Sequence, residues 1–215
     1  MPKTIAIFCP TYKRPHALAA VAKNIEETTL HPFTLYWGLE EDDTAGIEAA
    51  RATGHIVVIN KYPPGYSNTI QTIYEQSDEP FFLHANDDFE FTHHWDEVPI
   101  AMFEREDLMV VGLRQTETDR QGSAICMVRR HYIEQQSGVI DMPGRVFYPY
   151  NHNFIDTEFT QTAQRRGVWA KCDPLVIHHN HPGFTGKEKD ETYKKNDRTY
   201  EEDERTFNNR KHLWA

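Results

Sequence analysis

Three short apolar runs in the N-terminal part of the chain each stop abruptly at a polar cluster, and this repeated break leaves few folds open. Ile5-Ala6-Ile7-Phe8 leads into Cys9-Pro10-Thr11-Tyr12-Lys13-Arg14-Pro15, Phe33 to Leu39 into Glu40-Glu41-Asp42-Asp43, and Phe81-Phe82-Leu83-His84-Ala85 into Asn86-Asp87-Asp88. Apolar runs of this length without polar alternation read as strands buried on both faces. The segments between them carry helical periodicity. Leu18, Val21, Ala22 and Ile25 form one apolar stripe, Ile47 to Ala52 is a short helix stopped near Gly54, and Ser67 or Asn68 is expected to cap a helix whose Ile70, Ile73 and Tyr74 face inward. With Ile56 to Ile59 as a further strand, the alternation predicts an α/β fold: a mixed, mostly parallel sheet flanked by helices. Ligands of such sheets collect beyond the carboxyl ends of the strands, so the three polar clusters are expected to meet at one edge.

The chemistry of the clusters points to a cation. Asp87 and Asp88 are adjacent carboxylates at a strand end, and they repel unless something positive stands between them. A hard divalent ion is one such partner. Ordinary turn chemistry, in which each side chain bonds its own backbone, is the other reading of Asn-Asp-Asp. A later strand, Leu175-Val176-Ile177, ends in His178-His179-Asn180-His181, and imidazoles crowded in this way suit metal ligation better than core filling. Asp156 and Glu158 open a segment that runs to Arg166 and stops at Gly167. Acids in a first helical turn complement the helix dipole; a carboxylate held there is also placed to act as a general base. The pair Arg129-Arg130 reads as solvated charge rather than a phosphate contact.

Length, charge and cysteines narrow the class. A chain of 215 residues with 39% hydrophobic content holds one good core, here expected over residues 1–183, with a charged tail over 184–215. Within that tail Tyr193, Tyr200, Phe207 and Trp214 recur every seven residues, which favours a helix with one anchored aromatic face. A net charge of −10 argues against a protein that wraps nucleic acid nonspecifically, although the tail lysines and arginines, Arg198, Arg205, Arg210 and Lys211 among them, offer a face that phosphate would suit. Cys9, Cys126 and Cys172 are widely spaced and odd in number, as expected for reduced thiols in the cytoplasm. No stretch has the length and apolarity of a membrane span.

In its order of motifs the sequence resembles the GT-A fold glycosyltransferases, in particular the small family 2-like enzymes that include phage members. The resemblance rests on Pro10-Thr11-Tyr12-Lys13-Arg14-Pro15 after the first strand, the acidic loop after the second, Asn86-Asp87-Asp88 in place of the DxD motif, Asp156-Thr157-Glu158 in the position of the acceptor-side acids, and a histidine after the last strand. It implies a nucleotide-sugar donor, UDP-linked by preference, held by Pro10, Thr11, Tyr12, Arg14, Glu40, Asn86 and Asp87. It implies a divalent cation, Mn2+ or Mg2+, on Asp88 with His178 or His181, and Asp156 or Glu158 as the base that activates a hydroxyl acceptor such as a glycan or a hydroxymethylated DNA base. Asn86 departs from the family's pattern at the first acid of the motif, and Asp42-Asp43 compete with Glu40 for the nucleoside. A nucleotidyltransferase of similar fold, or a nucleotide-sugar-binding protein without turnover, are the alternative readings.

Overall fold

A computed structural model describes residues 4–116, 125–180, 186, 188, 194 and 198–214. The apolar runs form β1 (Ile5–Pro10), β2 (Phe33–Leu39), β3 (Ile56–Ile59) and β4 (Phe81–His84), which lie parallel in the spatial order β3-β2-β1-β4. Ile5 stands opposite both Phe33 and Phe81, and this register sets Pro10 beside Gly38 and Phe8 beside His84. The strands therefore end together. Helices α1 (Leu18–Thr28) and α2 (Thr44–Ala52) cover the face of β1 that carries Ile5, Ile7 and Cys9, whereas α3 (Tyr66–Gln76) covers the face of Ala6 and Phe8. The periodic residues Leu18, Val21, Ala22 and Ile25 are the ones α1 buries. At Gly38 a Cβ would stand 2.4 Å from Thr69 Cγ2 and 2.8 Å from Ile73 Cδ1, so the close approach of α3 to β2 requires glycine there.

Helix α3 starts two or three residues earlier than the sequence suggests. Gly65, at φ 147°, is its N-cap, and the Gly65 carbonyl accepts from the amides of Asn68 and Thr69 at 3.1 and 3.0 Å. Ser67 and Asn68 instead lie inside the first turn, where their side chains donate to the carbonyls of Tyr148 and Pro63. A glycine in a backbone conformation closed to other residues outweighs a side-chain cap.

Beyond β4 come β5 (Phe89–Phe91), α4 (Glu97–Met102), β6 (Val110–Gln115), β7 (Cys126–Arg129), α5 (Arg130–Gln136), α6 (Ile155–Arg165) and β8 (Trp169–His179). They extend the sheet in the order β4-β7-β6-β8-β5, with β6 and β8 parallel and the other pairs antiparallel. Arg129 and Arg130 are not solvated charges. Arg129 donates to the carbonyls of Leu108 and Phe103, and Arg130 to those of Glu79 and Tyr74 and to the Ser77 hydroxyl. Each guanidinium thus satisfies carbonyls where strands and helices end, a task its five donors suit.

The C-terminal helix α7 (Tyr200–Arg210) packs back on the sheet layer, with Phe207 and Trp214 in the core shared by α3 and α6. Tyr200 remains exposed against Phe154, and Tyr193 lies outside the described residues. Its anchor is Asp203, fully buried, whose two oxygens accept from three consecutive amides, Asn151, His152 and Asn153, at 2.8 to 2.9 Å. Replacing Asp203 by Ala strands those amides away from water, and the expected loss is about 2–4 kcal/mol of unfolding free energy. Urea denaturation reads this as a lower midpoint, whereas Glu202→Ala on the exposed side of α7 shifts it by less than about 0.5 kcal/mol.

Candidate active site

The loop after β1 is the hub of the polar edge. Thr11 N–H donates to the Gly38 carbonyl at 2.9 Å, which fixes the loop against the end of β2. Its side chains then reach both neighbouring clusters. Thr11 Oγ1 and Arg14 Nη1 donate to the two oxygens of Asp87, at 2.7 and 2.6 Å, and Tyr12 donates its hydroxyl to Asp42 at 3.0 Å. Lys13, in the left-handed region at φ 57°, turns its amide onto Asp43 at 2.6 Å. Asp43 in turn caps α2 through the Gly46 amide. The three clusters therefore meet around Pro10 to Arg14.

Within that edge the acids differ in their duties. Asp87 is buried, and burial pushes its carboxyl up while Arg14 and Thr11 draw it back. Glu40 bridges the ends of β2 and β3 to the start of α3, accepting from Asn60 Nδ2, the Gly65 amide and Thr69 Oγ1 between 3.1 and 3.3 Å. Asn86 opens the turn, and its carbonyl accepts from the Phe89 amide at 3.4 Å. Asp88 points the other way from Asp87, to Nε2 of His179 at 3.3 Å.

The histidine next to Asp88 is His179, and the structure does not bring His178 to that acid. β5 and β8 pair antiparallel with Phe89 opposite His179 and Glu90 opposite His178. Side chains alternate across a strand, so His179 turns inward to Phe89, at 4.8 Å between ring centroids, while His178 is exposed on the other face with Glu90. His181 lies outside the described residues. Nδ1 of His179 meets the amide oxygen of the buried Gln115 at 2.9 Å, an acceptor that orients the ring, and Nε2 faces Asp88. A ring nitrogen held by an acceptor in this way leaves the other nitrogen fixed in direction, as in a metal-binding imidazole. Among the described residues no third His, Cys, Asp or Glu joins the pair. One carboxylate and one imidazole fit a divalent ion whose remaining positions are filled by oxygens of a ligand and water.

Asp156 and Glu158 separate in the same way. Glu158 is buried and accepts from the Tyr150 hydroxyl at 2.6 Å and from Arg210 at 2.8 and 3.1 Å, so it secures α7. Arg210, also paired with both oxygens of Asp141 and lying 3.6 Å over the Tyr148 ring, is equally unavailable to a phosphate. Asp156 is half-buried in the first turn of α6, and its charge is felt at the Tyr66 phenol together with that of Asp88. Sequence reasoning missed Gln115, Tyr66 and His84. Buried His84 accepts from the Cys126 amide at 3.1 Å on Nε2 and contacts Tyr66 Oη at 3.2 Å through Nδ1. The signal for it was present: a histidine inside an otherwise apolar run needs partners for two ring nitrogens.

Solved structures place the architecture. Glucosyl-3-phosphoglycerate synthase from Mycobacterium tuberculosis, in complex with Mn2+, UDP and glucosyl-3-phosphoglycerate, superposes with a TM-score of 0.65 at 12% identity over 83% of this chain and 72% of that one. TarS from S. aureus, residues 1–349, gives a TM-score of 0.61 at 13% identity over 83% of this chain and 61% of its own. The fold is that of the GT-A glycosyltransferases. No family profile and no curated protein matches the sequence. The likeness therefore lies in the backbone.

The two adjacent carboxylates provide a check on this division. Asp87→Asn removes the buried carboxylate to which Thr11 and the half-buried Arg14 donate and is expected to lower unfolding free energy by about 3 kcal/mol, as for other broken buried pairs. Asp88→Asn in the ligand-free protein is expected to change it by less than about 1 kcal/mol; parallel urea titrations of the two variants measure the difference.

Proposed function

We propose that the chain is a metal-dependent, inverting glycosyltransferase that moves a sugar from a UDP-sugar to a hydroxyl acceptor. The observation that carries this reading is the meeting, at one sheet edge, of the loop after β1, the acids after β2 and the Asn86-Asp87-Asp88 turn, with Asp88 set against an imidazole that Gln115 orients. Solved structures of the same fold hold Mn2+ with UDP or UDP-glucose. Pro10, Thr11, Tyr12, Arg14, Glu40, Asn86 and Asp87 form the nucleotide side, where Arg14 and Thr11 keep the turn in place by bonding Asp87.

Asp88 and His179 would hold the divalent ion, Mn2+ or Mg2+, which when bound stabilises the charge that collects on the diphosphate as the sugar–phosphate bond breaks. Asp156 takes the proton of the acceptor hydroxyl while its oxygen attacks the anomeric carbon from the face opposite the leaving diphosphate, which inverts that centre. Glu158 keeps the helix bearing Asp156 tied to α7 and takes no part in proton transfer. A glycan acceptor suits the chain better than modified duplex DNA. The net charge is −10, and Arg210, one of the tail cations, is already paired twice.

UDP with Mn2+ is expected to raise the melting temperature of the wild type, since any ligand selective for the folded state stabilises it. Asp88→Asn is expected to abolish that shift while changing the stability of the free protein by less than about 1 kcal/mol, and His179→Ala to abolish it as well at some cost in stability, since the ring packs on Phe89 and bonds Gln115. A donor screen that follows UDP release then tests the chemistry: Asp156→Asn is expected to reduce turnover by about 100-fold or more while retaining the UDP shift. Release of pyrophosphate instead of UDP would reassign the chain to nucleotidyl transfer.

A further inference from the structure

Deep beside the candidate site lies a hydrogen-bonded chain that the proposed mechanism does not use. His84 is buried at the end of β4, packed edge-on against Phe147 at 4.9 Å between centroids. Burial pushes its pKa down to about 3, so the ring is neutral at ordinary pH. One nitrogen is assigned by its partner. The Cys126 amide can only donate, at 3.1 Å, so Nε2 is the acceptor and the single ring proton is on Nδ1. Nδ1 faces Tyr66 Oη at 3.2 Å, and the phenol oxygen is consequently the acceptor of that bond.

The direction of the chain leaves Tyr66 with its own proton to give. Among the described residues its remaining partner is the Ala85 carbonyl at 3.4 Å, long for a hydroxyl donor, whose bonds cluster below about 3.0 Å. Tyr66 is the first residue of α3, and Ala85 is the residue immediately before the Asn86-Asp87-Asp88 turn, so the hydroxyl sits at the floor of that turn. Burial holds the phenol well above its usual range, and the neighbouring Cys9, Asp156 and Asp88 add to this, so it stays a donor. A neutral donor against the Ala85 carbonyl, one residue before the turn that carries Asp88, stands at the edge where the sugar of a bound donor would lie.

Resting on the glycosyltransferase reading above, we propose that Tyr66 is a further catalytic contact: its hydroxyl, oriented by the Cys126–His84 relay, donates a hydrogen bond to an oxygen of the transferred sugar. The bond positions the sugar between the diphosphate and the attacking hydroxyl, and no proton changes owner. His84 is the positioning residue behind it.

The test is Tyr66→Phe, which removes one oxygen, with the wild type alongside. Turnover of the UDP-sugar returned by the donor screen is expected to fall about 10-fold or more, as when one directed donor is removed from a transition-state site. Affinity for UDP with Mn2+ by calorimetry is expected to stay within about 2-fold, because UDP carries no sugar. Donors lacking one sugar hydroxyl at a time add a second arm: the deoxy donor that costs the wild type 10-fold is expected to cost Tyr66→Phe nothing further. Unchanged turnover, an equal loss of UDP affinity, additive deoxy effects or loss of a cooperative unfolding transition would each overturn the assignment. Wild type that neither binds UDP with Mn2+ nor releases UDP would overturn the glycosyltransferase reading itself, and Tyr66's role with it.

Discussion

The bond between Asp87 and the loop after β1 is the interaction on which the polar edge depends. Parallel strands bring their ends to one side, but they do not by themselves order the loops that follow. Asp87 does so by accepting from Thr11 and Arg14 at once, which ties residues more than seventy positions apart in sequence. Because the carboxylate is buried, it must be paired, and breaking either side leaves an uncompensated charge or an orphaned acceptor. The requirement makes the loop rigid. Lys13 can then remain in a left-handed conformation because Asp43 takes its amide, and Asp43 can do so because it already caps α2.

Adjacent acids and histidines in this chain divide their labour according to which way the backbone turns them. Asp87 faces the protein and Asp88 faces His179. Asp43 is buried as a cap, whereas Asp42 is exposed to the Tyr12 hydroxyl. Glu158 is locked to Arg210 and Tyr150, two positions after Asp156 on the same first turn. His178 is exposed and His179 turns inward. In the three acid pairs one member is buried and secures the fold while its neighbour is more exposed. The arrangement has a physical logic: a charged group at a cleft needs a fixed frame, and the shortest frame is the residue beside it.

That division also explains how far the sequence could be read. The strands, the flanking helices and the convergence of the polar loops followed from apolar runs and helical periods, since burial is written in residue type. That Thr11, Arg14 and Asn86-Asp87-Asp88 fall on the converging loops followed from the same pattern. Which histidine stands beside Asp88 did not, because the answer depends on the register of β8 against β5, and β6 meets β8 across a shift between Gly112 and Gln115 that no local pattern announces. The partner of Glu158 was hidden because Arg210 lies 52 positions away on a helix that reads as a charged tail. The same distance hid the role of Asp203. Long-range polar pairs are chosen by the finished fold, and residue type alone cannot say which of two neighbours will find its mate.

Charge gives the arrangement a further consequence. A diphosphate approaching this edge meets Glu40, Glu41, Asp42, Asp43, Asp87 and Asp88 in a chain that carries −10 overall. The cations there are largely answered already: Arg14 is neutralised by Asp87 with its side chain only 15% exposed, and Lys13 lies within 3.9 Å of Asp42 in open solvent. Side-chain charge on these loops therefore cannot by itself offset a ligand with two or more negative charges, and in a partly buried cleft that imbalance is costly. A divalent ion between Asp88 and the ligand reverses the sign of the local field with one particle. Under the proposed reading, nucleotide and metal bind as a unit, each weakly without the other, and the acidic edge is a reason for the proposed metal requirement rather than an obstacle to it.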